Sequence, residues 1–323
     1  LEECIDLIFK ERDLSVASLS NYSCILRQAY SASQDDVEYV LEWPLSHWED
    51  IKRLLTPKPV NTQKNWLVAL MTYSAVCIEE EKKVQHKEAV DDMQKLVTYL
   101  CTESAKIEEQ KRGQVYAGAT WQDICNRADT LWRYATIEGV QCNPERMIRL
   151  QSAVLCSLFT LLPPRRSHDY SSMLLITDGQ VVPVGKRADN AVLVDAEGIP
   201  RQFVFNCYKT SRTYGKQVMS IPDILAARIA IWLGEVTRLQ HGRQKKYLFL
   251  SHPSLRNATY VKLPAVAVGA ILRTRMGVGI REIRRAKITD AFQGDTTFIS
   301  KSNLATAMGH SIASQQKVYR VET

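Results

Sequence analysis

The chain has 323 residues, 45% of them hydrophobic, and a formal net charge of +7 at pH 7. This length and composition allow two domains, each with its own core. No apolar run reaches the roughly 18 residues that a membrane span needs, and the first residues contain no secretory signal, so we expect an intracellular protein, nuclear if its host is eukaryotic. The eight cysteines show neither C-x-x-C spacing nor a histidine at metal-ligand spacing, so we expect reduced thiols and no zinc site.

Charge is distributed unevenly along the chain. Residues 1–119 contain 14 Lys and Arg against 20 Asp and Glu, whereas residues 120–323 contain 28 against 15. The first part is therefore net acidic by 6 charges and the second part net basic by 13. A strongly basic part predicts a polyanionic partner, with nucleic acid the first candidate, although an ordinary basic surface has the same composition.

The first part is predicted to be a helical bundle. Apolar residues recur at helical spacing, and prolines interrupt the pattern after Trp43 and again within residues 56–59. The predicted helices cover residues 15–30, 35–42, 46–55, about 61–82 and about 85–112. Their charged faces are expected to be mostly solvated.

A domain boundary is predicted at the linker 113–119, where the charge changes sign. Thr120-Trp-Gln-Asp123 resembles a capping box that begins a new helix, and residues 144–161 form a strongly apolar helix with Pro144 in its first turn. Alternating patterns then predict short strands over residues 174–176, 191–194, 202–207 and 217–221. Helical patterns resume after these strands, over residues 225–237, 263–275 and 283–292. The expected fold is mainly α with a small antiparallel β-sheet, in two domains, 1–112 and 120–323.

Four short segments of the second part hold side chains suited to phosphate chemistry. Arg165 and Arg166 follow a rigid Pro-Pro pair, and Asp169, three residues after Arg166, is placed to orient its guanidinium for bidentate phosphate binding. Basic residues that cap a helix end are the alternative interpretation of this segment. The second segment is a polar turn between two strands that contains Lys209 and Lys216. The third is a helix with Arg281, Arg284 and Arg285. The fourth is a Gly-His pair at His310, followed nine residues later by Tyr319.

In this order the four segments resemble those of the tyrosine recombinase (lambda-integrase-like) family, over essentially the whole second part. The positions that match the family's constellation are Arg166 with Asp169 in the acidic position, Lys209, Arg281, Arg284, His310 and Tyr319. The Gly-His-Ser with its later tyrosine is the most specific element. The Leu-Pro-Pro-Arg-Arg and Arg-Arg segments are similar to those of Crypton-type mobile-element recombinases and their relatives in large DNA viruses.

The resemblance implies a mechanism. Tyr319 attacks a phosphodiester and forms a 3′-phosphotyrosyl link, with a 5′-hydroxyl as the leaving group. Arg166, Arg284 and His310 stabilise the transition state, and Lys209 protonates the leaving oxygen. The bond energy stays in the protein–DNA link, so the reaction is expected to need neither metal nor ATP, and no cofactor is implied.

The resemblance also implies partners and domain roles. Residues 1–112 correspond to a helical core-binding domain and residues 120–323 to the catalytic domain, which bind double-stranded DNA as a homo-tetramer on two sites. Residues expected to contact DNA are Arg165, Lys216, Arg285 and, in the first part, Lys64. Because the first part is net acidic, its few basic residues are expected to cluster on one face.

One position departs from the family. The family has histidine where this chain has Arg281, and an arginine cannot accept a proton near neutral pH. A base for Tyr319 is then His310, or the proton passes directly to phosphate. Two alternatives to a site-specific recombinase that integrates or excises a mobile element stay open, a type IB topoisomerase-like or hairpin-forming enzyme and a domesticated DNA-binding protein without catalysis.

Overall fold

The computed structural model describes residues 1–12, 16–33, 41–112, 118–137, 143–177, 180–181, 189–239, 246–252, 261–293 and 297–315. The chain divides into two compact units, Leu1–Gln114 and Val115–Thr323. The division falls at the segment 113–119. In the ranges given above, no helix is long and apolar enough to cross a membrane.

The described part of the first unit is entirely helical. Its helices are α1 (Glu2–Arg12), α2 (Val16–Ser33), α3 (Trp43–Ser46), α4 (Trp48–Leu55), α5 (Val60–Cys77), α6 (Glu80–Gln85) and α7 (Lys87–Arg112). Trp43 is fully buried at the centre, and its ring meets those of Tyr30 and Tyr73 edge-on at centroid distances of 5.3 and 5.7 Å. This aromatic cluster joins α2, α3 and α5 in one core.

The helices of this unit differ from those predicted at three places, and the first is the predicted helix 61–82, which is divided between α5 and α6. Pro44 does not end a helix but lies in the first turn of α3, where the missing backbone N–H has no intrahelical partner to lose. The sequence pattern also missed α1, which buries Cys4, Ile5 and Ile8. Most of the predicted helix 35–42 lies outside the described residues.

Part of the positive charge of this unit is neutralised within the unit. Arg27 forms an ion pair with Glu2, with Nη2 2.7 Å from Oε2, and Lys64 donates a hydrogen bond from Nζ to Ser104 Oγ at 3.2 Å. A basic face that contacts DNA through Lys64 stays a prediction.

The second unit begins with the predicted capping box. The Thr120 side chain accepts from the backbone N–H of Asp123, and the Asp123 carboxylate accepts from that of Thr120, so both ends of the box are present. The helices of this unit are α8 (Trp121–Ala135), α9 (Pro144–Leu161), α10 (Ser167–Ser171), α11 (Ser211–Tyr214), α12 (Asp223–Leu239), α13 (Ala265–Met276), α14 (Ile280–Gln293), α15 (Phe298–Ala307) and α16 (Ile312–Ser314). The bounds predicted for α9 are confirmed.

A small sheet accompanies these helices, in the strand order β1 (Leu174–Ile176), β2 (Ala191–Val194), β3 (Pro200–Phe205) and β4 (Gln217–Ser220). The pairs β2–β3 and β3–β4 are antiparallel, but β1 runs parallel to β2, with Leu174 opposite Ala191. The mainly helical fold with a small sheet is confirmed, and the sheet is mixed rather than wholly antiparallel. Residues 177–190 explain the difference, since a parallel pair needs a connection of about a dozen residues or more.

The core of the second unit surrounds α9. From Leu150 to Phe159 every residue of this helix is buried, and the helix packs against α8, α12 and α13. Tyr170 of α10 lies against the sheet, with its ring edge-on to Phe159, Phe203 and Phe205. The segment that follows α9 is thereby fixed beside β3, where the candidate site lies.

Candidate active site

The end of α15 forms a turn that fixes the backbone of His310. Gly309 has φ of +69°, its N–H donates to the carbonyl of Thr306 at 2.9 Å, and the N–H of His310 donates to that of Ala305 at 3.1 Å. This is the Schellman pattern of helix termination, which needs a left-handed residue and therefore favours glycine. The Gly-His pair thus ends the helix and places the imidazole in one defined direction.

Arg284, on α14, holds the imidazole and the turn together. It is 2% exposed; Nη1 donates to the carbonyls of Pro164 at 2.9 Å and Met308 at 3.2 Å, and Nη2 lies 2.6 Å from His310 Nδ1. Because a guanidinium only donates, Nδ1 must accept, and the ring proton of the neutral imidazole is on Nε2. His310 is therefore fixed as a donor through Nε2.

The charge state of His310 follows from its surroundings. Burial, and after it the positive charges of Arg284 and Arg166, lower the pKa of His310 to about 3. The ring is neutral at pH 7. A histidine with so low a pKa is a poor proton acceptor and remains able to donate a hydrogen bond.

Arg165 is buried and holds the end of α15 from the opposite side. Its Nε donates to Asp169 Oδ2 at 2.9 Å, its Nη1 donates to the carbonyl of Ala307 at 2.7 Å, and it has no exposed surface. The guanidinium also stacks on Phe205 and Tyr208, with Cζ 4.0 and 4.7 Å from the ring centroids. Such a residue fixes structure; it offers no surface to a DNA backbone, contrary to the DNA contact predicted for it.

The sequence predicted that Asp169 orients Arg166. In the structure its carboxylate orients Arg165 instead. Arg166 is the N-cap of α10 with an extended backbone, φ −82° and ψ 157°, so its side chain leaves in another direction. Arg165 precedes this N-cap, and its Nε lies 2.9 Å from Asp169 Oδ2 in the first turn of the helix. The i+3 spacing in the sequence could not distinguish these two geometries.

Arg166 and the segment of Lys209 meet at one carbonyl. Gly309 O accepts from Arg166 Nη1 at 3.3 Å and from Thr210 Oγ1 at 2.8 Å. Arg166 is half-buried, and Lys209, next to Thr210, is exposed. Three segments predicted to belong to one site, those of Arg166, Lys209 and Arg284, are therefore joined at the turn 306–310.

The remaining predicted site residues lie at the edge of this cluster or outside the described residues. Arg281 and Lys216 are exposed, and Arg285 is half-buried on α14. Arg281 lies one turn before Arg284 on the same helix, with its side chain in solvent. Tyr319 lies outside the described residues, so its role as nucleophile stays a prediction.

Two residues that hold the site together, Thr210 and Gln217, were not among the predicted site residues. Thr210 is one hydroxyl in a polar turn, and Gln217 is a polar residue at the start of a strand; neither stands out by spacing or composition. The signal that could have identified Gln217 is a polar side chain at the start of β4, next to the turn that contains Lys209.

Gly309→Ala is expected to lower the free energy of unfolding by roughly 2–3 kcal/mol, about 1–2 from the left-handed backbone and about 1 from crowding. An added Cβ lies 3.2 Å from Arg165 Nη2 and 3.4 Å from Tyr208 Cδ2. Urea denaturation measures the change. Gly198→Ala is the matched control, since Gly198 has φ of +81° with no atom within 4 Å of an added Cβ. Equal losses in the two variants contradict the close packing of Arg165 on the turn.

Among the residues that the structure describes, no group of three or more His, Cys, Asp or Glu side chains is placed to hold a metal ion. The cluster around His310 consists instead of fixed hydrogen-bond donors and guanidinium charge. Donors arranged in this way match an oxyanion such as a phosphodiester.

Comparison with known proteins gives little further information. No family model matches the sequence, and no curated protein matches it. Among solved structures, the crystal structure of XerA recombinase is similar over 99% of this chain and 94% of that chain, with 10% sequence identity and a TM-score of 0.39. A likeness of this degree carries no argument about function, which must come from the site itself.

Proposed function

We propose that this protein cuts and rejoins DNA strands through a covalent 3′-phosphotyrosyl intermediate on Tyr319. The observation that supports this most directly is the junction at residues 306–310. Arg166, Lys209 and Arg284 come from segments far apart in sequence, and direct hydrogen bonds bring their segments to the turn that bears His310. The same residue types, in the same order, carry the resemblance to tyrosine recombinases.

The charge of the second unit supports a DNA substrate. Residues 120–323 carry 28 Lys and Arg against 15 Asp and Glu, and the segments that meet at the turn carry exposed cations, among them Lys209, Lys216 and Arg281. Phosphate contacts of this kind account for most non-specific DNA affinity and weaken as salt is added.

The cluster stabilises the charge of the pentacoordinate transition state. Arg166 uses one nitrogen on Gly309 O, and a guanidinium has five N–H donors, so it can also donate to non-bridging phosphate oxygens. His310 donates from Nε2 to a non-bridging oxygen. Arg284 already donates to Pro164 O, Met308 O and His310 Nδ1, so its part is to add positive charge nearby and to fix the tautomer of His310.

Proton transfers complete the reaction. Tyr319 Oη forms a bond to phosphorus while the bond from phosphorus to the 5′-oxygen breaks, and Lys209 gives its proton to that leaving oxygen. His310 is not the base for Tyr319, because its pKa is about 3 and its Nδ1 accepts from Arg284. The phenolic proton therefore passes to a phosphate oxygen. A free 5′-hydroxyl reverses the reaction and seals the strand.

The finer parts of the proposal rest on the sequence resemblance. They are strand exchange between two duplexes, integration or excision of a mobile element of Crypton type, and a homo-tetramer on two DNA sites, in the nucleus if the host is eukaryotic. In this scheme the first unit binds the same DNA site as a core-binding domain.

Covalent trapping tests the proposal. Duplexes from the DNA that flanks the gene, each nicked close to the candidate cleavage position, lose the short 5′-hydroxyl fragment after cleavage, so the covalent complex accumulates. A protein–DNA adduct that resists denaturation is expected, and peptide mapping is expected to place it on Tyr319. Absence of any adduct from duplexes that the protein binds overturns the enzyme proposal and favours a DNA-binding protein without catalysis.

Product analysis separates strand exchange from its alternatives. Two duplexes of different length and label are mixed with the protein, and the joined strands are sequenced. Strands that combine both duplexes support recombination. Resealed parental strands with altered supercoiling, or hairpin ends, support a topoisomerase-like or hairpin-forming enzyme instead.

A further inference from the structure

Gln217 forms two hydrogen bonds at the end of α15. It is the first residue of β4 and is half-buried. Its Oε1 accepts from Arg165 Nη1 at 2.7 Å, and its Nε2 donates to the carbonyl of Thr306 at 3.1 Å. Arg165 Nη1 also donates to Ala307 O. Two successive carbonyls of the last helical turn are therefore bound by one glutamine and one arginine.

These contacts act where a helix is weakest. The last carbonyls of an α-helix have no intrahelical donor, and the end frays unless other groups satisfy them. Here the carbonyl of Thr306 accepts from Gln217 and from the N–H of Gly309. His310 is the residue that follows Gly309. Contacts that fix the end of the helix therefore also fix the position of the imidazole.

We propose that Gln217 is a positioning residue for the cleavage site: together with Arg165 it fixes the end of α15 and thereby the placement of His310 against Arg284. Gln217 itself does not touch the DNA. The inference rests on the proposed function for its effect on cleavage, and on the hydrogen bonds alone for its effect on His310.

The chemistry of the two bonds requires an amide. Arg165 can only donate and the carbonyl of Thr306 can only accept, so the side chain between them must present one acceptor and one donor. Glutamine does both at this length. A glutamate keeps the acceptor and loses the donor, and a leucine of similar size loses both. Gln217→Glu therefore removes one of the two hydrogen bonds, and Gln217→Leu removes both.

The experiment compares Gln217→Leu and Gln217→Glu with Gln202→Leu, the same kind of substitution at an exposed position on the neighbouring strand β3. Single-turnover cleavage of the nicked duplex at saturating protein and the dissociation constant of the complex are measured separately. For Gln217→Leu we expect a cleavage rate lower by roughly tenfold, with the dissociation constant within about twofold. The loss is expected to be smaller in Gln217→Glu and absent in Gln202→Leu.

A second measurement needs no DNA. The six histidines are labelled with ¹⁵N, and the ring signals of His310 are assigned by their loss in His310→Asn. The pKa of His310 is expected to rise in Gln217→Leu toward that of an ordinary histidine, because a loosened turn admits water to the ring and moves it from Arg284. It is expected to be unchanged in Gln202→Leu.

The two readouts distinguish failure of this inference from failure of the proposed function. A wild-type protein that forms no adduct overturns the proposed function, while the titration of His310 still decides the positioning role. Wild-type cleavage and an unchanged His310 titration in Gln217→Leu overturn the positioning role. Equal losses in Gln217→Leu and Gln202→Leu also overturn it, since they show a general effect of the sheet.

Discussion

Tyr319→Phe is expected to abolish the covalent adduct and to lower strand cleavage by more than about 10⁴-fold, as loss of a nucleophile does in other enzymes that form covalent intermediates. The phenyl ring keeps the size and apolar character of the side chain and removes only the attacking oxygen. Affinity for duplex DNA is therefore expected to stay within about twofold, since phosphate contacts by Lys and Arg dominate it. Adduct yield on the nicked duplex and binding to the intact duplex measure the two quantities.

The control for this change is Tyr134→Phe on α8, whose ring is 59% exposed. It is expected to form the adduct at the wild-type rate. Adducts that persist in Tyr319→Phe and map to another tyrosine show that the nucleophile is misassigned. Loss of both binding and cleavage in Tyr319→Phe assigns the hydroxyl a role in DNA binding instead.

Arg284→Lys is expected to reduce single-turnover cleavage by roughly 10²–10³-fold, the loss typical of removing one fixed transition-state donor. Lysine retains the charge but presents its donors from a single nitrogen, so it does not reproduce the arrangement in which Nη1 bonds to Pro164 O and Met308 O while Nη2 bonds to His310 Nδ1. His310 then loses the contact that fixes its tautomer and its position, and with it the fixed donor at Nε2. The measurement uses saturating DNA so that affinity does not contribute.

Arg238→Lys is the matched control for Arg284→Lys, because Arg238 is 75% exposed and pairs only with Glu235 among the ion pairs described. Thermal unfolding of both variants identifies a loss of fold. A folded Arg284→Lys protein that cleaves at the wild-type rate shows that the contact between Arg284 and His310 is not needed for the reaction.

Local patterns predicted most of the elements, because each depends on residues that are neighbours in sequence. The bounds of α9, the capping box at Thr120 and the strands β1 and β2 were all visible in apolar spacing and capping residues. Pairing between strands was not visible in the same way. Whether β1 runs parallel or antiparallel to β2 depends on the path of residues 177–190, which no local pattern specifies.

The sequence predicted which residues belong to the candidate site better than it predicted what each of them contacts. Four segments in family order identified Arg166, Lys209, Arg284 and His310, and the structure joins their segments at one turn. The predicted partner of Asp169 was wrong. The residue at which α10 begins decides which arginine faces the carboxylate, and this helix was not predicted. Gln217 was missed because its role depends on the carbonyls of α15, about 90 residues away.

The bonds that hold the turn have a consequence for how the protein folds. Arg165, Arg166, Thr210 and Gln217 donate four hydrogen bonds to the carbonyls of residues 306–309, across sequence separations of 89 to 143. Contacts between such distant positions form after the chain between them has been ordered, because loop-closure entropy opposes them first. The site around His310 is therefore assembled among the last parts of the unit, and a partly folded chain, although basic enough to bind DNA, has no assembled machinery with which to cut it.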